Sequence, residues 1–153
     1  MFALALSGIS DLAAELRRPI VGVALERLPN GPVTAAAIVR PDGSRLVVTS
    51  RVNDVGPRAE MGSLEIALRS GDGPLAVDLP LSWLGGPESV SKLLARLDGE
   101  EAEAGLVLRG PGGTSLTLAS GVYPHSLHVA ASDLLDEGEL EFEEHEYRLL
   151  PFG

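Results

Sequence analysis

The chain has 153 residues, 44% of them hydrophobic and 4% aromatic, with no cysteine and a formal net charge of −10. That length suits a single domain over residues 1–153 with its own core, and the absence of cysteine excludes disulfides, thiolate metal sites and cysteine nucleophiles. The acidic balance speaks against nucleic acid, whose binding needs basic contacts to phosphate.

The charge is uneven. Residues 1–97 carry ten basic and ten acidic side chains, whereas residues 98–153 carry twelve acids against Arg109 and Arg148, so the last third holds the whole −10. Eleven of the twelve basic residues are Arg and the other is Lys92. With abundant Ala, Gly and Leu, this is the composition of a GC-rich bacterial coding sequence. Met1–Leu6 is apolar but short and no basic residue precedes it, unlike a signal peptide. No apolar run reaches roughly 18 residues, the length of a membrane span. The expectation is a cytoplasmic protein that does not engage a membrane.

In chain order, Ile9, Leu12, Ala13 and Leu16 repeat at i, i+3, i+4, i+7, predicting a helix that Ser7 or Ser10 caps and Pro19 ends. Val21, Val23 and Leu25 alternate as a strand, and Pro29-Asn30-Gly31-Pro32 turns the chain. Val33–Val39 is apolar and Ala-rich. Arg51, Asp54, Arg58 and Glu60 crowd a polar linker between strands, where function or plain ion pairs are equally at home. Leu64, Ile66 and Leu68 form a half-buried strand, followed by Leu75, Val77 and Leu79. Trp83, the only tryptophan, sits among leucines; this favours a core plug over a partner anchor. Val90, Leu93, Leu94 and Leu97 repeat the helical template between Pro87 and Gly99, predicting a second helix. The pairs Leu106/Leu108, Leu116/Leu118 and Leu127/Val129 are further strands.

Three turn regions look alike: Val39–Leu46, Leu68–Leu75 and Leu108–Leu116. Each runs from a strand end carrying Arg through Gly and back into alternating apolar residues, which predicts three β-hairpins. Unequal spacers between them speak against a true internal repeat. Near the C-terminus, Leu140 and Phe142 lie on one strand parity, while Tyr147 and Leu149 lie on the other. A β-bulge at Glu143 and Glu144 would reconcile them. These elements sum to an α+β fold: a mostly antiparallel β-sheet of about seven to nine strands, curled or split, with two packed amphipathic helices.

The densest chemistry is Glu141-Phe142-Glu143-Glu144-His145-Glu146. As a strand it would align Glu141, Glu143 and His145, a potential zinc or manganese ligand set. As an acidic edge it would resist unwanted pairing and present Glu141, Glu143, Glu144 and Glu146 to a basic protein. His125 and His128 would point to opposite faces of a strand, and nothing singles out Ser120, Ser126 or Asp133 as their catalytic partners. Gly110–Thr114 lacks the Lys-Ser/Thr ending of a phosphate loop, and Ser70–Gly73 lacks most ligands of a calcium loop. The function expected is a non-enzymatic protein-binding module without cofactor, such as a small bacterial inhibitor or antidote, its partner a basic protein. The alternative is a metal-binding protein or metal-dependent enzyme built on the C-terminal His/Glu cluster. Unpaired strand edges leave a homodimer open.

Overall fold

A computed structural model describes residues 1–57, 59–71, 76–132 and 134–152. Among these residues there are twelve strands in two six-stranded sheets and a single short α-helix. The α+β expectation with two packed helices is therefore overturned: the architecture is two β-sheets packed face to face. No helix among the described residues is long and apolar enough to cross a membrane.

The first sheet is built from β1 (Ala5–Ser7), β2 (Ile20–Arg27), β3 (Val33–Val39), β4 (Arg45–Gly56), β5 (Ala59–Arg69) and β6 (Leu79–Trp83). Its spatial order is β1-β5-β4-β3-β2-β6. The second comprises β7 (Ser89–Leu97), β8 (Glu100–Arg109), β9 (Ser115–Ser120), β10 (Leu127–Ala131), β11 (Leu135–Glu137) and β12 (Tyr147–Pro151). Its order is β11-β10-β9-β8-β7-β12. Alternating side chains meet between the sheets, as period-2 patterning requires. Val23, Ile38, Leu46, Val48, Leu64 and Ile66 come from one side, and Leu106, Leu108, Leu116, Leu118, Leu127 and Val129 from the other.

The first expected helix is real but shrinks to α1 (Leu12–Leu16), where Leu12 and Leu16 are buried. Asp11, rather than Ser7 or Ser10, caps it by accepting from the Ala14 amide at 3.2 Å. The second expected helix is strand β7. Its register with β8 slips between Leu93↔Gly105 and Leu94↔Glu103, leaving Ala104 as an extra residue. Val90 precedes this bulge and faces the main core, while Leu94 and Ala95 follow it and are buried too. Leu93 lines a groove on the outer face with Val107 and Leu149, so β7 is covered on both faces and buries the same positions as an amphipathic helix. Ladder pairing to β8 decides between them, since local propensity is a weak constraint on strands.

Of the three expected hairpins, β3–β4 and β8–β9 form. The Leu68–Leu75 turn does not join neighbours, because β6 pairs with β2 at the far side of the sheet. Residues 72–75 lie outside the described residues, and Val77 precedes the strand rather than belonging to it. The Arg51–Glu60 linker is the end of the long β4–β5 hairpin, paired from Arg45↔Arg69 to Gly56↔Ala59. Arg58 is outside the described residues.

Five of the six strands in each sheet share one topology, the sixth being the parallel β1 in one sheet and the antiparallel β11 in the other. Four strands meander (β2–β5, β7–β10), and a later strand returns to the open side of the first (β6 beside β2, β12 beside β7). The pairs Ile38↔Leu46 and Ala36↔Val48 correspond to Leu108↔Leu116 and Leu106↔Leu118, a constant shift of 70 positions. The turns match as well: the Arg40 amide donates to the Ser44 carbonyl at 3.0 Å, and the Gly110 amide donates to Thr114 at 2.9 Å. Ser50 and Ser120, equivalent under the same shift, hydrogen-bond to each other between the sheets at 2.8 Å. The repeat that unequal spacers argued against is thus present in topology and register, and differs in its connections.

Candidate functional site

The segment following β11 builds the main polar concavity. Gly138, with φ 73°, turns the chain out of β11; glycine adopts this left-handed conformation without strain. The Glu139 carbonyl then accepts from the Val122 amide at 2.9 Å, and Leu140 bridges Gly121. Glu141 reaches across to the first sheet, where its Oε1 accepts from the Gly62 amide at 2.8 Å.

The expected bulge at Glu143 and Glu144 is replaced by a 3-10 turn over Glu144–Glu146. Glu143 and Glu146 cap it reciprocally, each side chain accepting from the other's backbone; this satisfies amides that a short turn leaves open. The turn resolves the parity conflict between Phe142 and Tyr147 and lets both face one small core. Their rings lie 6.2 Å apart, packed against Met61, Ala95, Ala102 and Ala104. The Phe142 amide donates to the Tyr147 hydroxyl at 3.1 Å. Burial pushes the Tyr147 phenol up to about 12.

Asp136, Glu139, Glu141, Glu143, Glu144 and Glu146 thus surround one open cavity of about 660 Å³. Val122, Leu140 and Phe142 give it an apolar floor, and no Arg or Lys is among the described residues that line it. Four of the six are the glutamates the sequence singled out. Asp136 and Glu139 were missed, because only the turn at Gly138 folds them over the others. His128 also borders the cavity, with its Nδ1 donating to the Gly138 carbonyl at 2.7 Å.

Glu141 is the half-buried member. Burial raises its carboxyl above the usual range; the Gly62 amide opposes the shift and nearby Glu60 adds to it. A group whose folded-state pKa is raised contributes stability that is fully present below its unfolded pKa and lost as pH rises through the folded one. Glu141→Gln removes the ionised form and keeps the acceptor for Gly62. It is expected to raise Tm by roughly 1–3 °C at pH 7, with the gain shrinking towards pH 4. A lower Tm for this variant at pH 7, read by circular dichroism, would contradict this assignment.

The other sequence candidates do not converge. Glu141, Glu143 and His145 do not share a strand face, since His145 lies in the 3-10 turn. Among the described residues no three His, Asp or Glu side chains are gathered to hold a metal ion. His125 sits in a turn with φ 61° and its Nδ1 is 3.4 Å from the Ser50 carbonyl. Ser126 donates to the Tyr123 carbonyl at 2.7 Å, and Asp133 lies outside the described residues. In the Gly110–Thr114 loop the Gly110 amide closes the hairpin instead of facing outward. Trp83 is 3% exposed, a core residue as its leucine neighbours suggested, and it belongs to the main core between the sheets.

Comparison with protein-family models, with curated proteins and with solved structures gave no match.

Proposed function

We propose that this protein is a non-enzymatic binding module that receives a basic segment of a partner protein in its acidic cavity. The supporting observation is that six acidic residues line one open cavity together with Val122, Leu140 and Phe142, with no lining Arg or Lys among the described residues. A partner Arg or Lys places its charged head among the carboxylates and its aliphatic stem on Leu140, Phe142 and Val122, since such side chains bury their stems while keeping the head polar. The surrounding negative potential steers a basic partner inward and speeds encounter. A cytoplasmic inhibitor or antidote that masks a basic surface would work in this way.

The test is calorimetric titration with an acetylated peptide alternating Arg and Leu, against its Glu-for-Arg counterpart. The Arg peptide is expected to bind with an affinity that falls as salt rises. The combined Glu141→Gln, Glu143→Gln, Glu144→Gln and Glu146→Gln variant is expected to bind at least about tenfold more weakly, or about 1.4 kcal/mol, while remaining folded. Equal affinity of the two peptides, or full affinity in the folded variant, overturns the reading.

A further inference from the structure

Register aligns Leu149 of β12, Leu93 of β7, Gly105 of β8, Ala119 of β9 and His128 of β10 in one row across the second sheet. Two positions nearer the β8–β9 turn, on the same face, Val107 lies opposite Thr117, and at the turn itself Arg109 lies opposite Ser115. Leu149, Leu93 and His128 of the first row and all four residues of the other two line a groove of about 400 Å³. Leu140 and Glu144, from the connection between β11 and β12, line it too. From the Ala119 row to the Ser115 row it spans roughly 13 Å at the usual rise per residue, the length of about four extended residues. The groove adjoins the acidic cavity, because His128, Leu140 and Glu144 line both.

The chemistry changes where the two meet. Six acidic residues line the cavity, but among the described residues Glu144 is the one that continues into the groove. Past it the lining is Leu93, Val107 and Leu149, flanked by Arg109 and Arg148. Arg148 is held by Glu101, 3.0 Å away. A second basic residue of the partner finds little to pair with here, whereas an apolar one finds apolar surface. Leu93 and Val107 are each 9% exposed, but Leu149 is 46% exposed, so an occupant would take mainly Leu149 out of water. We infer that the partner segment is amphipathic, with a large apolar residue close to its basic one. The basic residue enters the cavity, and the apolar residue lies in the groove against Leu149, Leu93 and Val107. An extended chain brings residues two apart to one face, about 6.7 Å from each other, so the two sites are read by residues two apart. This inference rests on the cavity reading and adds to it the chemistry of the neighbouring residue.

The test is calorimetric titration of the full chain, at about 0.15 M salt, with the acetylated and amidated peptide Arg-Gly-Leu-Gly-Leu-Gly-Arg, whose pattern is the same in either chain direction. Two counterparts replace both leucines by Ala or both arginines by Gln. The leucine peptide is expected to bind about fivefold more tightly than the alanine one, the effect of partly burying a leucine. Leu149→Gln is expected to bring that ratio close to one, and Leu149→Met to keep most of it. The Gln peptide is expected to bind at least about tenfold more weakly than the Arg peptide. Equal binding of the leucine and alanine peptides, or a ratio unchanged in a folded Leu149→Gln protein, overturns the inference and leaves the cavity reading standing as long as Arg is preferred to Gln. No preference for Arg over Gln, or no binding at all, removes the cavity reading and this inference with it. Self-association that Leu149→Gln abolishes would assign the groove to a second copy and equally overturn the inference.

Discussion

Trp83→Ala is expected to lower the free energy of unfolding by about 3–5 kcal/mol, the range for truncating a large buried aromatic. Trp83 ends β6, opposite Ile20 on β2, and its indole lies against the backbone of Gly110 in the β8–β9 turn. A Cβ at Gly110 would come within 2.3 Å of the ring. The indole therefore fastens the last strand of one repeat to the central turn of the other. Its loss leaves a void that neither sheet can close alone, because both are pinned by their ladders. Urea unfolding followed by circular dichroism measures the change, since the substitution removes the only tryptophan fluorophore. A change under about 0.5 kcal/mol, the size usual for exposed sites, would contradict this fastening role.

The second large effect concerns the lone lysine. Glu103 is 6% exposed on β8, and its carboxylate accepts from the Leu4 amide at 3.1 Å while pairing with Lys92 on β7. Lys92 also lies over the Phe152 ring, 5.2 Å from its centroid. Lys92→Met leaves a buried carboxylate without its counter-charge and is expected to cost about 3 kcal/mol. Adding Glu103→Leu removes the stranded charge and recovers most of that loss, leaving about 1 kcal/mol for the unpaired Leu4 amide. A double-mutant cycle in urea measures the coupling. If Lys92→Met and the pair are equally destabilised, the carboxylate is not the source of the cost. The tie matters to the fold because the chain before α1 serves both sheets: Phe2 bridges Ala102 in one, and β1 pairs with β5 in the other.

What the sequence reveals here is mainly which side chains are buried. Leu64 with Ile66, Leu106 with Leu108, Leu116 with Leu118 and Leu127 with Val129 all enter the core as their alternation implies. Burial alone does not reveal the neighbour. Val90, Leu93, Leu94 and Leu97 fit a helix because β7 is covered on both faces, and its pairing with β8, bulged at Ala104, is not visible in its own residues. The return crossings to β6 and β12 are non-local, so a turn signal at Gly71 could not be told from a hairpin. The repeat was visible in the two turns 70 positions apart and was obscured by connections of unequal length. The acidic segment was legible as composition. Its concavity depends on the Gly138 turn, the Glu141 bond to Gly62 and the 3-10 turn, which join residues far apart in sequence.

The central claim is that the acidic cavity receives a basic segment. The most direct test is an amide shift map of the ¹⁵N-labelled protein titrated with the Arg–Leu peptide at neutral pH. The account predicts saturable shifts concentrated at Val122 and from Asp136 to Glu146, with the Gly62 amide moving as Glu141 engages the ligand. Shifts concentrated elsewhere on the sandwich, or none up to millimolar peptide, would contradict it.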